Sequence, residues 1–207
     1  KKIKDLNIRI ITYLDDEYPE NLRHIDDSPI ILYAKGNLIK EDKYAIAIVG
    51  SRNMTEYGKR ITEIIASELA SFRLSIVSGM ARGIDTVSHK GALKAGGRSI
   101  AVLGSGIDNL YPPENTKLFE SISNSGCVIS EFPLGTPPNK ENFPKRNRLI
   151  SGLSLGVIVV EATINSGSLI TANYAIQQNR EVFAIPGNIT SRNSEGTNAL
   201  IKKGAKL

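Results

Sequence analysis

The residues best equipped for chemistry are cations and glycines at the ends of apolar runs. In Tyr44–Arg52 (YAIAIVGSR) a stretch from Ala45 to Val49 stops at Gly50. It turns through Ser51 into Arg52, ahead of a helical pattern of Ile61, Ile64, Ile65 and Leu69. A strand, a glycine turn and a helix start in that order make an anion site, because glycine admits close approach and the helix start presents unpaired N–H groups. Here the turn carries a fixed cation and no G-x-G-x-x-G series. A planar, permanently charged guanidinium suits a phosphodiester better than a dinucleotide laid on bare backbone.

Three further loops follow apolar runs. Ser78-Gly79-Met80-Ala81-Arg82-Gly83-Ile84-Asp85 brings Arg82, Gly104-Ser105-Gly106 offers backbone donors with the Ser105 hydroxyl, and Ser166-Gly167-Ser168 opens a helix holding Leu169, Ala172, Ala175 and Ile176. Glycine-rich turns of this kind can cradle an anion. Ser166 or Ser168 taken alone reads first as a helix cap. The common position of the four loops at strand ends favours an anion-binding rim.

The sharpest signal is Phe143-Pro144-Lys145-Arg146-Asn147-Arg148. Pro144 suits the first turn of a helix, and Leu149, Ile150 and Leu153 supply its buried stripe. Three cations then crowd the positive end of a helix dipole, each at a cost of roughly 0.3–1 kcal/mol, which an anion bound there would offset. The competing explanation is a solvated basic helix start, or ion pairs to Glu131 or Glu141. Phe143 is either a platform for a nucleobase or a hydrophobic staple for the same helix.

Other chemistries lack their residues. There is no G-x-x-x-x-G-K-[ST] phosphate loop, and Gly104–Asn109 lacks the third glycine of a dinucleotide fingerprint. His24 and His89 lie far apart with no ligand spacing around them, so no metal is expected, nor any cofactor. His89 reads as packing, and Cys127, the only cysteine, as a small buried hydrophobe. No serine has a base partner, so no catalytic residue is assigned. Asp85 and Glu161 fall near the strand-end loops, where they can order the arginines or restrict access.

The elements that must position these residues are legible as a repeat. Strands are predicted at 45–49, 74–78, 99–103, 127–130, 156–160 and 182–185. Helices are predicted at 57–71, 83–95, 115–124, 145–154 and 168–179. Short, nearly continuous apolar strands alternating with helices mean βαβ units and a parallel sheet buried on both faces. Right-handed crossovers then gather the loops along one edge. Residues 1–43 are less regular and read as an extension packed on the 44–207 domain, with a short strand at Ile30–Tyr33. The 207 residues suffice for one well-buried core. A net charge of +5 fits a polyanionic partner or plain solubility. No run approaches the length of a membrane span and no signal sequence opens the chain, which together with the single cysteine suggests the cytoplasm.

Taken in order, Ile48–Arg52, Ser78–Asp85, Gly104–Asp108, Tyr111-Pro112, Phe143–Arg148, Ser166–Thr171 and Phe183–Gly187 resemble the bacterial DNA-processing protein A family (DprA, also called Smf) from about Tyr18 to Leu207. The resemblance implies an extended Rossmann-like α/β domain with a doubly wound, mostly parallel sheet, binding single-stranded DNA without cutting it. It also implies protection of incoming DNA in natural transformation, loading of the recombinase RecA onto strands held by single-strand-binding protein, and a homodimer. Carried over by motif, Ser51, Arg52, the Gly104-Ser105-Gly106 turn, Lys145, Arg146 and Asn147 look like the phosphate pocket and Phe143 like the base-contacting aromatic. Arg82, Arg148 and Ser168 complete the expected DNA-binding set. Many members carry an N-terminal helical or C-terminal winged-helix-like domain. This sequence is expected to open past the first and to stop at Gly204–Leu207 before the second.

A second reading is a nucleotide-processing enzyme. The sheet also resembles the cytokinin-activating phosphoribohydrolases, whose P-G-G-x-G-T-x-x-E loop supplies a working glutamate. The nearest counterpart here, Asn165–Thr171, has no glutamate after it. A third is a protein-interaction scaffold with a vestigial anion site.

Overall fold

The computed structural model describes residues 2–207, the side chains of Lys2 and Lys4 excepted; of the opening Lys1–Asp5 run, Lys1 lies outside the described residues. The N-terminal segment forms α1 (Lys2–Asp5), β1 (Arg9–Thr12), α2 (Glu20–Arg23) and β2 (Ile31–Gly36). The repeat then runs β3 (Ala45–Gly50), α3 (Glu56–Ser71), β4 (Ser75–Ser78), α4 (Ile84–Lys94), β5 (Ser99–Val102), α5 (Thr116–Ser125) and β6 (Cys127–Ser130). It finishes with α6 (Asn142–Gly152), β7 (Gly156–Glu161), α7 (Gly167–Gln177), β8 (Glu181–Ala184) and α8 (Glu195–Lys202).

Among the described residues one sheet of eight strands runs β1-β2-β6-β5-β4-β3-β7-β8. The strands from β3 to β8 pair in parallel, and β1 and β2 extend the sheet antiparallel beyond β6. The expected doubly wound α/β fold is the one observed. Its two faces follow from strand alternation: Ala45, Ala47 and Val49 pack with Leu149, Leu153, Ala172 and Ala175, whereas Ile48 packs with Ala66, Ala70 and Ile84. Small residues on β3 let α6 and α7 approach closely, and burying each larger aliphatic side chain contributes about 1.5–3 kcal/mol.

The segment before Tyr44 is woven into the sheet more deeply than its irregular sequence suggests. The short strand expected at Ile30–Tyr33 forms as β2, and β1, which was not expected, zips onto it with Arg9 opposite Ala34. Tyr18, Leu22 and Ile25 join the core cluster that holds Ile150 and Leu153. The helix expected from Lys145 begins at Asn142 instead, because Pro144 needs no N–H partner anywhere in a first turn. The short α8 was also missed, its eight residues being too few to show a periodic stripe.

Candidate functional site

The chain winds from β3 through β6 in one direction and then returns to the other side of β3 with β7. That reversal opens a crevice at the carboxyl ends of β3 and β7, the place where open α/β sheets take ligands. A cavity of about 700 Å³ lies there, and Ser51, Arg52, Phe143, Arg146, Asn147 and Ser168 all line it. The residues reach it from three directions: the turn after β3, the first turns of α6, and the N-terminus of α7.

Helical geometry sorts the basic motif. Phe143, Arg146, Asn147 and Ile150 share one face of α6 at spacings of three and four, and that face lines the cavity. Successive residues of a helix diverge by about 100°, so four in a row cannot share a face. Lys145 and Arg148 accordingly do not line the cavity, contrary to expectation. Lys145 is exposed, and Arg148 is held by Glu131 through two hydrogen bonds of 2.7 Å each and by Asp27 at 2.7 Å. The ion-pair explanation, with Glu131 as the partner, therefore accounts for Arg148.

Arg146 is buried beneath the cavity floor. It donates to the carbonyl oxygens of Gly79 (2.8 Å) and Val102, and its Nε donates to Asn147 Oδ1 at 3.3 Å. Asn147 in turn donates to the Gly167 carbonyl at 3.2 Å, tying α6 to the start of α7. Burial pulls Arg146 down to about 10 against the favourable field of Asp85, and Arg52 adds to the fall. Asp85, also buried, accepts from the Gly79 and Ala81 N–H groups; burial raises it, with Arg146 pulling the other way. Glu161 does not order an arginine: it accepts from the N–H and hydroxyl of Thr55, the residue that caps α3.

The remaining expected residues divide similarly. Ser51 Oγ accepts from Asn53 N–H at 3.1 Å, shaping the turn that lifts Arg52 into solvent. The Arg52 guanidinium lies 5.5 Å from the centre of the Phe143 ring and, among the described residues, forms no ion pair. Ser166 caps α7 and its Oγ lies 2.8 Å from Ser168 Oγ, so both hydroxyls sit at the anion-attracting helix end. The Gly104-Ser105-Gly106 turn does not line the cavity. Ser105 donates to the Asn109 carbonyl and accepts at its own carbonyl from Ser130, and a Cβ on Gly104 would come within 2.8 Å of the Phe143 ring. The turn is the seat of Phe143 and offers no donors to the cavity. Arg82 is engaged by Glu114 through Nε and, at 3.2 Å, through Nη2.

Sequence reading missed Lys140 and Asn53, both lining the cavity. Lys140 is exposed in the loop after Pro137-Pro138 and carries no ion pair among the described residues. A lone lysine in an aperiodic loop gives no spacing signal. Cys127 is buried, its thiol pushed up to about 12 by desolvation, as expected of a small hydrophobe. Among the described residues no group of acids, histidines or cysteines could hold a metal, and no helix is long and apolar enough to cross a membrane.

Fold and site together define a Rossmann-like α/β protein with a cationic, aromatic-floored cleft at its topological switch point. The chain belongs to the DNA recombination-mediator protein A family, whose model matches residues 9–207. It is 46% identical over 202 residues to Protein Smf of Escherichia coli K12, covering 97% of this chain and 54% of that protein. The chain thus spans about half the length of that relative. The X-ray structure of DNA processing protein A from Streptococcus pneumoniae is similar at a TM-score of 0.92 and 46% identity, covering 99% of this chain and 72% of that one. A structure of DNA processing protein A from Helicobacter pylori, concerned with its single-stranded DNA binding mode, is similar at 0.88 and 32% identity, covering 98% and 90%.

Proposed function

We propose that the chain binds single-stranded DNA in the switch-point cleft without cutting it. In this reading it shields the strand and helps load RecA onto DNA coated by single-strand-binding protein, as a homodimer in the cytoplasm, in natural transformation and homologous recombination. The observation that carries the binding is the grouping of Arg52 and Lys140, neither tied to a carboxylate among the described residues, with Phe143 and the start of α7 around one cavity. Cations to neutralise phosphates beside a ring to stack a base are what a sequence-tolerant single-strand binder needs. The family's description as a recombination mediator and the single-stranded DNA binding mode of the H. pylori relative support the same reading. Within it, Arg52, Lys140 and the α7 start take the phosphates, Ser51 and Asn147 shape the pocket, Arg146 holds it from below, and Phe143 takes a base.

The cavity offers a hydrolase little to work with. Its lining includes one carboxylate, Asp85, already engaged by two backbone N–H groups. The test is fluorescence anisotropy with single-stranded and duplex DNA across salt. With about two phosphates neutralised, by Arg52 and Lys140, log K should fall with log salt at a slope near −1.4, and Arg52→Ala should weaken all sequences alike and flatten that slope by about one ion's worth. Unaltered binding by Arg52→Ala, or tighter binding to duplex, would overturn the assignment.

A further inference from the structure

Tyr111 belongs to a motif noted in the sequence yet has no role in the pocket as described. The residue is 38% exposed, and its ring lies 5.9 Å, centre to centre, from Phe143 at a tilt of 51°. It lines the main cavity and also a narrow side notch of about 20 Å³ that it shares with Arg52, Arg82 and Phe143. Arg82 buttresses the ring: its guanidinium sits 5.7 Å from the ring centre, and Nη1 donates to the tyrosine oxygen at 3.4 Å. Glu114 accepts from Nε and Nη2 of the same guanidinium. Arg82 therefore has its charge matched by Glu114 and three of its five donors engaged. It is built to hold a ring in place and poorly placed to grip a phosphate.

We infer that Tyr111 is a second base-stacking platform, kept in position by the Arg82–Glu114 pair, and that the strand runs from the α7 start past Phe143 toward Tyr111. The inference rests on the single-stranded DNA reading and extends it by one nucleobase. A base sandwiched between two rings needs about 7 Å, twice the optimal separation of stacked carbon atoms. At 5.9 Å and tilted, Phe143 and Tyr111 cannot share one base between them, so each offers its open surface to a different base. Arg82 and Glu114 act through Tyr111 and are positioning residues.

The test compares a thymidine homopolymer with an abasic strand of equal length. Tyr111→Leu keeps bulk against Phe143 but removes the π-face. It should weaken the thymidine strand by about 5- to 150-fold, the worth of one stacked base, and leave the abasic strand and the salt slope unchanged. Tyr111→Phe should bind as the unmodified chain does. Equal losses on both strands, or none on either, would overturn the platform. A measurement that needs no variant is photocrosslinking of the unmodified chain to strands carrying 5-iodouracil at single positions. Crosslinks to Tyr111 and Phe143 from different nucleotides are expected, and crosslinks to Phe143 alone would overturn the inference. If the unmodified chain binds neither strand, the single-stranded DNA reading itself falls; if Arg52→Ala loses binding while Tyr111→Leu does not, only the platform falls.

Discussion

Three arginines show how far a side chain's surroundings decide its work. Arg52 is exposed and, among the described residues, forms no ion pair; Arg146 is buried against two carbonyls and beside Asp85; Arg148 is clamped by Glu131 and Asp27. Their variants should therefore separate. Arg148→Ala should cost about 1–3 kcal/mol of stability, since charged hydrogen bonds in a half-buried site are lost, while DNA affinity stays within twofold. Arg146→Ala leaves a buried carboxylate without its counterion and should cost about 3–5 kcal/mol, with binding lost along with the floor. Urea denaturation and anisotropy on the same preparations check both, and a large affinity loss with unchanged stability in Arg148→Ala would refute the placement. The sequence identified all three cations but could not say which carried a partner, because Glu131 and Asp27 come from distant segments.

At the scale of elements, the loops matter through how they brace one another. Gly83 has φ +76°, and a Cβ there would collide with the Ser51 carbonyl oxygen, which already accepts from Ile84 N–H at 3.1 Å. Gly83→Ala should cost about 1–3 kcal/mol in backbone strain alone and displace the Ser51–Arg52 turn, weakening DNA binding as well. Denaturation midpoints together with anisotropy read this out, and a variant as stable as the parent would show that the two turns are not coupled. Most element types and rough spans were legible from apolar runs and glycine stops, and the helix phase of Phe143, Arg146, Asn147 and Ile150 was available in the spacing. What spacing could not reveal was the inward turn of Gly104–Gly106, which is fixed by Phe143 and by Ser130 from other parts of the chain. Nor could it reveal the left-handed Met80 (φ 61°), whose carbonyl accepts from Asn115.

For the whole molecule, charge and burial set the conditions of use. The cleft lies at the carboxyl edge of the parallel strands, while a second cavity at their amino edge is lined by charges of both signs, Asp16, Glu17 and Glu20 beside Lys40 and Lys43. Deep in the core, His89 is fully buried, its Nδ1 lies 2.7 Å from Ser99 Oγ and its Nε2 has no partner. Burial, helped by Arg146, lowers it from 6.5 to about 3. The unfolded chain then binds a proton that the folded chain refuses, so this contribution is complete above pH 6.5. It is lost on acidification toward pH 3, at about 1.4 kcal/mol per pH unit. Urea titrations between pH 7.5 and 5 should show a steeper decline in the parent than in His89→Gln, the difference isolating His89 from buried Asp85, whose raised carboxyl acts with the opposite sign; equal slopes would refute it.

The sequence alone determined the parallel α/β fold, the run of glycine turns and the family, because these depend on local periodicity and on short motifs in order. Tertiary structure decided which cations face the cleft, that the first 43 residues lend two strands to the sheet, and that Lys140 and Tyr111 belong to the rim. Those outcomes depend on contacts between segments tens of residues apart, where a side chain's value is set by what the fold brings beside it.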